Sequence, residues 1–136
     1  MVKSSIIYQG GLRNVAKHGP SGTEVFTDAP VDNHGKGEAF SPTDLLGAAL
    51  GACMNTLMGI YAERQGVDLK GMRIEVGKEM SADAPRRIKR LSVEIWMPVS
   101  ESSGHAEALK RAALACPVHH SLHPDIEKPV IWHWAL

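Results

Sequence analysis

Residues 41–66 read SPTDLLGAALGACMNTLMGIYAERQG, and this stretch decides the fold. Ser41 can cap a helix, Pro42 suits the first helical position, and Asp44 stands three residues after the cap, where the acidic member of a capping box belongs. Gly66 can take the left-handed conformation that closes many helices. The spacing therefore predicts one long helix from Pro42 to Gln65. Leu46, Leu50, Cys53, Leu57 and Ile60 recur at three- and four-residue steps as an apolar stripe, and little polar surface appears elsewhere before Glu63. Such a helix is expected to be buried on most sides. Gly47, Gly51 and Gly59 lower its intrinsic propensity, which implies close approach by a neighbouring backbone, with a second subunit as one candidate.

Outward from this helix the periodicity changes. Upstream, short β-prone pieces at Ser5–Gln9 and Glu24–Thr27 are separated by GG, HGPSG and DNHGKG, so a hairpin-like or meander start is expected. Downstream, Met72–Met80 and Ile88–Met97 read as two strands joined at ADAPRR, with Leu91, Val93, Ile95 and Met97 alternating against Ser92, Glu94 and Trp96. Short helices follow at His105–Ala115 and Pro117–Leu122, then a last strand at Val130–Trp134. Strands grouped around helices without βαβ alternation indicate an α+β fold, and 136 residues are one domain's worth of chain.

Fifteen basic residues balance fifteen acidic ones, so neither a nucleic-acid footprint nor an acidic tail is present. Small molecules or copies of itself are the expected partners. The opening MVKSSIIYQGG lacks the apolar stretch of a signal peptide, and no run reads as the roughly 20 apolar residues of a membrane span. A cytoplasmic protein without membrane attachment is expected. In that reducing compartment two cysteines make a transient, catalytic bond a better expectation than a permanent staple.

Those cysteines are Cys53, in the long helix, and Cys116, which opens CPVHHS. A cysteine preceding a helix gains from unpaired backbone N–H groups, which favour the thiolate. Read alone, each is more often a small buried apolar side chain than a reactive thiol. His119 and His123 are four apart and would share a helix face, which raises a metal site with Cys116 and His120, but Pro124 ends the segment and zinc needs three or four protein ligands. Candidate cations for a thiolate are Arg13 in the GGLR turn and Arg86 and Arg87 at the hairpin tip. Asp44 has a capping role beside any catalytic one. Trp96, Trp132 and Trp134 read as core or interface.

Taken together, SPTDLLGAALGAC and the later CPVHHSLHPD resemble the OsmC and Ohr family of thiol peroxidases, more closely its OsmC-like branch. RRIKRLSVEI, GGLR and SGTEVFTDAP are also similar to that family, so the resemblance spans essentially the whole chain. It implies an intertwined homodimer with antiparallel strands around a long central helix and active sites at the subunit interface. It further implies that Cys53 attacks the O–O bond of an organic, fatty-acid-type hydroperoxide and that Cys116 resolves the sulfenic acid as a disulfide. An external dithiol, such as a lipoyl protein or thioredoxin, then resets the pair without any cofactor. Two departures accompany it. The family's glutamate, ten residues before the first cysteine, is Thr43 here, and the arginine loop is altered around Arg13. Asp44 is one residue late: nine helical residues turn through about 900° and rise about 13 Å, so it faces away from Cys53 and could serve only another subunit's site or a different segment. Rival readings are a ligand-binding OsmC-like homodimer with little peroxidase activity, and the Cys/His metal site.

Overall fold

The computed structural model describes Met1–Leu136 throughout, in two compact units, Met1–Leu46 and Gly47–Leu136. In the first, β1 (Ser4–Gly10), β2 (Arg13–His18) and β3 (Glu24–Asp28) form an antiparallel meander in chain order. The β1–β2 turn needs three left-handed residues, Gly10, Gly11 and Leu12 at φ +83°, +60° and +61°, and only the leucine meets a steric penalty there. The middle strand, RNVAKH, was not expected from its residues. It lacks a β-branched alternation, and pairing on both edges forms it where propensity does not.

The helix α1 spans Pro42–Gln65 as expected, and Gly66 follows it at φ +67°. Its cap is a reciprocal box: the Ser41 N–H donates to Asp44 Oδ2 at 2.8 Å, and the Asp44 N–H donates to Ser41 Oγ at 3.0 Å. In the second unit β4 (Arg73–Met80) and β5 (Ile88–Ser100) form an antiparallel hairpin. β6 (Val130–Ala135) pairs with the other edge of β5 in parallel, the one departure from antiparallel pairing. Parallel neighbours need a crossover, and the connection supplies one through α2 (Ala106–Leu114) and α3 (Pro117–Ser121).

The face that α1 lays on this sheet differs from the stripe read in the sequence. The buried residues are Gly47, Leu50, Gly51, Met54, Met58 and Ala62, whereas Leu46 and Ile60 are exposed and Cys53 and Leu57 only partly covered. The buried line lies roughly 100° round the helix from the expected one. The glycines explain the rotation. A Cβ on Gly51 would lie 3.2 Å from Val76 Cγ2 and 3.3 Å from Ile74 Cγ2, and one on Gly47 would lie 3.4 Å from Val76 Cγ1. β4 side chains therefore sink into the gaps, and the close neighbour of these two glycines is the chain's own sheet. Hydropathy had counted those gaps as breaks in the stripe.

The opposite face of α1 is open rather than buried: Ala48, Ala49, Ala52, Thr56 and Ile60 are exposed. With a mean hydropathy of 1.5 over its best window, α1 is by length and composition long and apolar enough to cross a membrane, which corrects the expectation that no such run exists. A third of that window, 33 %, is buried in the fold, with Leu50, Met54 and Met58 in the core beside Leu91, Val93, Ile95, Leu109, Ala113 and Cys116. Trp132 and Trp134 stack on each other at 5.4 Å and pack against that core, whereas Trp96 lies between the His133 ring at 4.7 Å and the Arg73 guanidinium at 3.8 Å.

Candidate active site

Cys116 is placed by local chain geometry. Its backbone is extended at φ −63° and ψ 133°, Pro117 takes the first position of α3, and proline brings no N–H of its own there. The next donors turn towards the sulfur: the His119 N–H donates to Cys116 Sγ at 3.2 Å, and the Val118 N–H lies near enough to favour its charged form. The helix that CPVHHS was expected to begin at Pro117 is present, and Cys116 precedes it with its sulfur as the cap atom.

Cys53 comes from the flank of α1 that turns from the sheet towards α3. The fold brings the two together: the thiols are neighbours close enough to influence each other's titration, and both are free. Cys116 is 0 % exposed, whereas Cys53 keeps part of its surface. Burial and then the neighbouring Cys53 thiol push the Cys116 thiol up from its ordinary range, while the His119 and Val118 N–H groups pull against them. The helix-end N–H groups thus do not prevail, which corrects the expectation that the place before Pro117 favours the Cys116 thiolate. The pair joins a reachable sulfur to a sheltered one that holds a proton, an arrangement suited to attack at the first and capture by the second.

The raised Cys116 value has a consequence for stability. The folded state keeps the proton longer than the unfolded chain, so this contribution is complete below the ordinary thiol range and is lost as pH rises through the folded value. Thermal unfolding of the reduced wild type and of Cys116→Ala is expected to show a gap that narrows on the alkaline side and is constant from pH 6 to 7.

Arg13 lies opposite Asp28 across the β2–β3 ladder. Its Nε and Nη2 donate to the two Asp28 carboxylate oxygens at 2.7 and 2.8 Å, Nη2 also reaches Glu38 Oε2 at 3.1 Å, and the Glu38 N–H donates to Asp28 Oδ2 at 3.1 Å. Asp28 is 3 % exposed, and the Arg13 hydrogen bond holds it below the usual carboxylate range, with Arg13 itself pushed up by Asp28. Sequence reasoning missed Asp28 and Glu38, since only strand register reveals them. Asp44 spends its carboxylate on the helix cap, and Thr43 Oγ1 lies 3.1 Å from Ser41 Oγ.

Elsewhere, Arg87 pairs with Asp83 at 3.1 Å within the hairpin. His119 and His120 meet edge to face at 5.7 Å, and the His123 ring accepts the Asp125 N–H at 3.1 Å. Burial, then the Lys128 charge, holds His119 below its ordinary value. No three His, Cys, Asp or Glu side chains come close enough to hold a metal ion.

The OsmC-like protein family matches residues 35–128, which include both cysteines. The chain belongs to the OsmC-like family. It is 47 % identical to a proposed osmotic stress induced and detoxification response protein from Psychrobacter arcticus, with 98 % of this chain and 96 % of that one aligned at a TM-score of 0.91. An organic hydroperoxide resistance protein OsmC from Legionella pneumophila shares the fold at 16 % identity and TM-score 0.77, over 98 % of this chain and 96 % of that one. A Vibrio cholerae relative, with captopril bound in one of its active sites, does so at 17 % and 0.75, over 96 % of this chain and 90 % of that one. No curated protein matches the sequence. The α+β fold with a long central helix is the family's.

Proposed function

We propose that this OsmC-like protein reduces organic, fatty-acid-type hydroperoxides in the cytoplasm through a two-cysteine cycle. The observation that carries the reading is the apposition of a partly exposed Cys53 thiol and a buried Cys116 thiol. The Cys53 thiolate attacks the O–O bond and takes one oxygen as a sulfenic acid, while the alkoxide leaves and collects a proton as the alcohol. Cys116 then attacks the sulfenic sulfur, the S–S bond forms, and water departs. A dithiol, such as a lipoyl protein or thioredoxin, restores both thiols. Arg13, held rigid by Asp28 and Glu38, enters the proposal as the cation favouring the thiolate, and Asp44 only as a group acting outside its own helix. Consumption of cumene hydroperoxide in preference to hydrogen peroxide, with dithiothreitol as reductant, is the expected result. Absence of turnover with both peroxides, in folded protein with free thiols, would sink the reading.

The proposal includes a homodimer. Its support is apolar surface that one chain leaves in water: Ile6, Tyr8 and Phe26 on the meander, 63 %, 61 % and 45 % exposed, and the small-residue face of α1 at Ala48, Ala49 and Ala52. Ala52→Arg sets a charge in that face without touching the core, so sedimentation equilibrium should show about tenfold or more weaker self-association with an unchanged far-ultraviolet spectrum. A second reading, a ligand-binding homodimer with little peroxidase activity, draws on Thr43 standing where the family's glutamate would pair with the arginine.

A further inference from the structure

The two sulfurs are not equivalent to a reagent arriving from outside. Cys116 is 0 % exposed and belongs to the core cluster with Leu109, Ala113 and Met54. Its cover comes from its own chain, and any further subunit only adds to it. Cys53 alone presents a surface. The surroundings also differ in what they offer a departing thiolate. Around Cys116 Sγ stand the N–H of His119 at 3.2 Å and that of Val118, which Pro117 leaves as the first donors of the turn. Cys53 sits in the middle of α1, where backbone N–H groups are already committed to carbonyls one turn back.

We propose that regeneration has a fixed polarity: the external thiolate attacks Sγ of Cys53, and Cys116 is the leaving group. The inference rests on the two-cysteine reading above and adds its direction. The incoming sulfur forms a new S–S bond to Cys53, the Cys53–Cys116 bond breaks, and its electron pair goes to Cys116, where the Val118 and His119 N–H groups receive the charge until a proton arrives. The reductant's second thiolate then attacks its own partner sulfur, closing the reductant as a disulfide and expelling Cys53 as thiolate. Burial raises the Cys116 thiol, which makes it the poorer leaving group as well as the slower nucleophile in the reverse attack on the mixed disulfide, so access to Cys53, with the His119 and Val118 N–H groups easing the departure, sets the polarity. The backbone of Val118 and His119 thereby takes part in the chemistry of the reductive half-cycle.

The test uses a monothiol, which cannot close on itself and so leaves the mixed disulfide in place. Full-length protein is oxidised in two arms, by cumene hydroperoxide and by diamide, then exposed briefly to 2-mercaptoethanol, quenched with N-ethylmaleimide in mild acid, and mapped by peptide mass spectrometry. Mercaptoethanol on Cys53 and maleimide on Cys116, in at least about tenfold excess over the converse, is the expected pattern. An even split, or the adduct on Cys116, overturns the polarity. A Cys53–Cys116 disulfide from diamide but not from hydroperoxide would remove the peroxidase reading and leave the diamide arm to decide the polarity. Failure of both arms to join Cys53 to Cys116 would overturn the polarity as well, because the two sulfurs would then not be within reach.

Discussion

Cys53→Ser is expected to reduce hydroperoxide consumption on the order of 10³-fold or more, to the level of the dithiol alone, because the hydroxyl that replaces the thiol is no nucleophile at neutral pH and nothing else in the pair is reachable. Cys116→Ser should behave differently. Its first turnover stays intact, since Cys53 still meets the peroxide, but the sulfenic acid then lacks the Cys116 thiol that neighbours Cys53 in the wild type. Successive peroxide additions should therefore drive Cys53 to sulfinic and sulfonic acid, seen as mass gains of one oxygen at a time, with loss of activity that the dithiol does not restore. Equal, undiminished steady-state rates in both variants would exclude a two-cysteine cycle. A Cys116→Ser protein that cycled without over-oxidation would assign resolution to the external thiol and leave Cys116 as a core residue.

The second large effect is on stability. Leu50 is 0 % exposed and is the large side chain between Gly47 and Gly51, the two positions where α1 drops onto the sheet. Truncation in Leu50→Ala removes buried methyl groups and leaves a cavity that the glycine contacts on either side prevent α1 from closing, so a cost of about 3–5 kcal/mol is expected. Against a total folding free energy of about 5–15 kcal/mol that is a large fraction. Thermal unfolding should shift on the order of 10 °C downwards. Leu46→Ala, one turn earlier on the same helix but at an exposed position, is the control and should cost well under about 1 kcal/mol in the isolated chain. Equal losses from the two would show that the stripe read from periodicity, which contains both residues, is buried after all by a second copy.

That contrast shows where sequence reading held and where it failed. The limits of α1 were legible because caps are local: Ser41, Pro42, Asp44 and Gly66 act on backbone groups within four residues of themselves. The β4–β5 hairpin was legible for the same kind of reason, an alternation of period two that faces one core. The face of α1 was not, because Gly47 and Gly51 contribute nothing to a hydropathy pattern and yet decide the contact by what they lack. β2 was missed because a strand paired on both edges can be built from residues with little β-propensity. The parallel pairing of β6 was missed because strand direction depends on the path of a connection.

The candidate site divides in the same way. Cys116 as a cap could be read from CPVH, since a proline at the first helical position points the following N–H groups back at the residue before it. Which carboxylates hold Arg13 could not, because Asp28 and Glu38 lie 15 and 25 residues away and meet it only through strand register and loop path. By itself the sequence determined the family, the long helix with its ends, and the identity of the two sulfurs, all of which follow from local order along the chain. Only the tertiary structure decided that one sulfur is sheltered and the other reachable, which face of the helix meets the sheet, and that Arg13 is already engaged. Burial and pairing are properties of neighbours brought together by folding, and no local pattern encodes them.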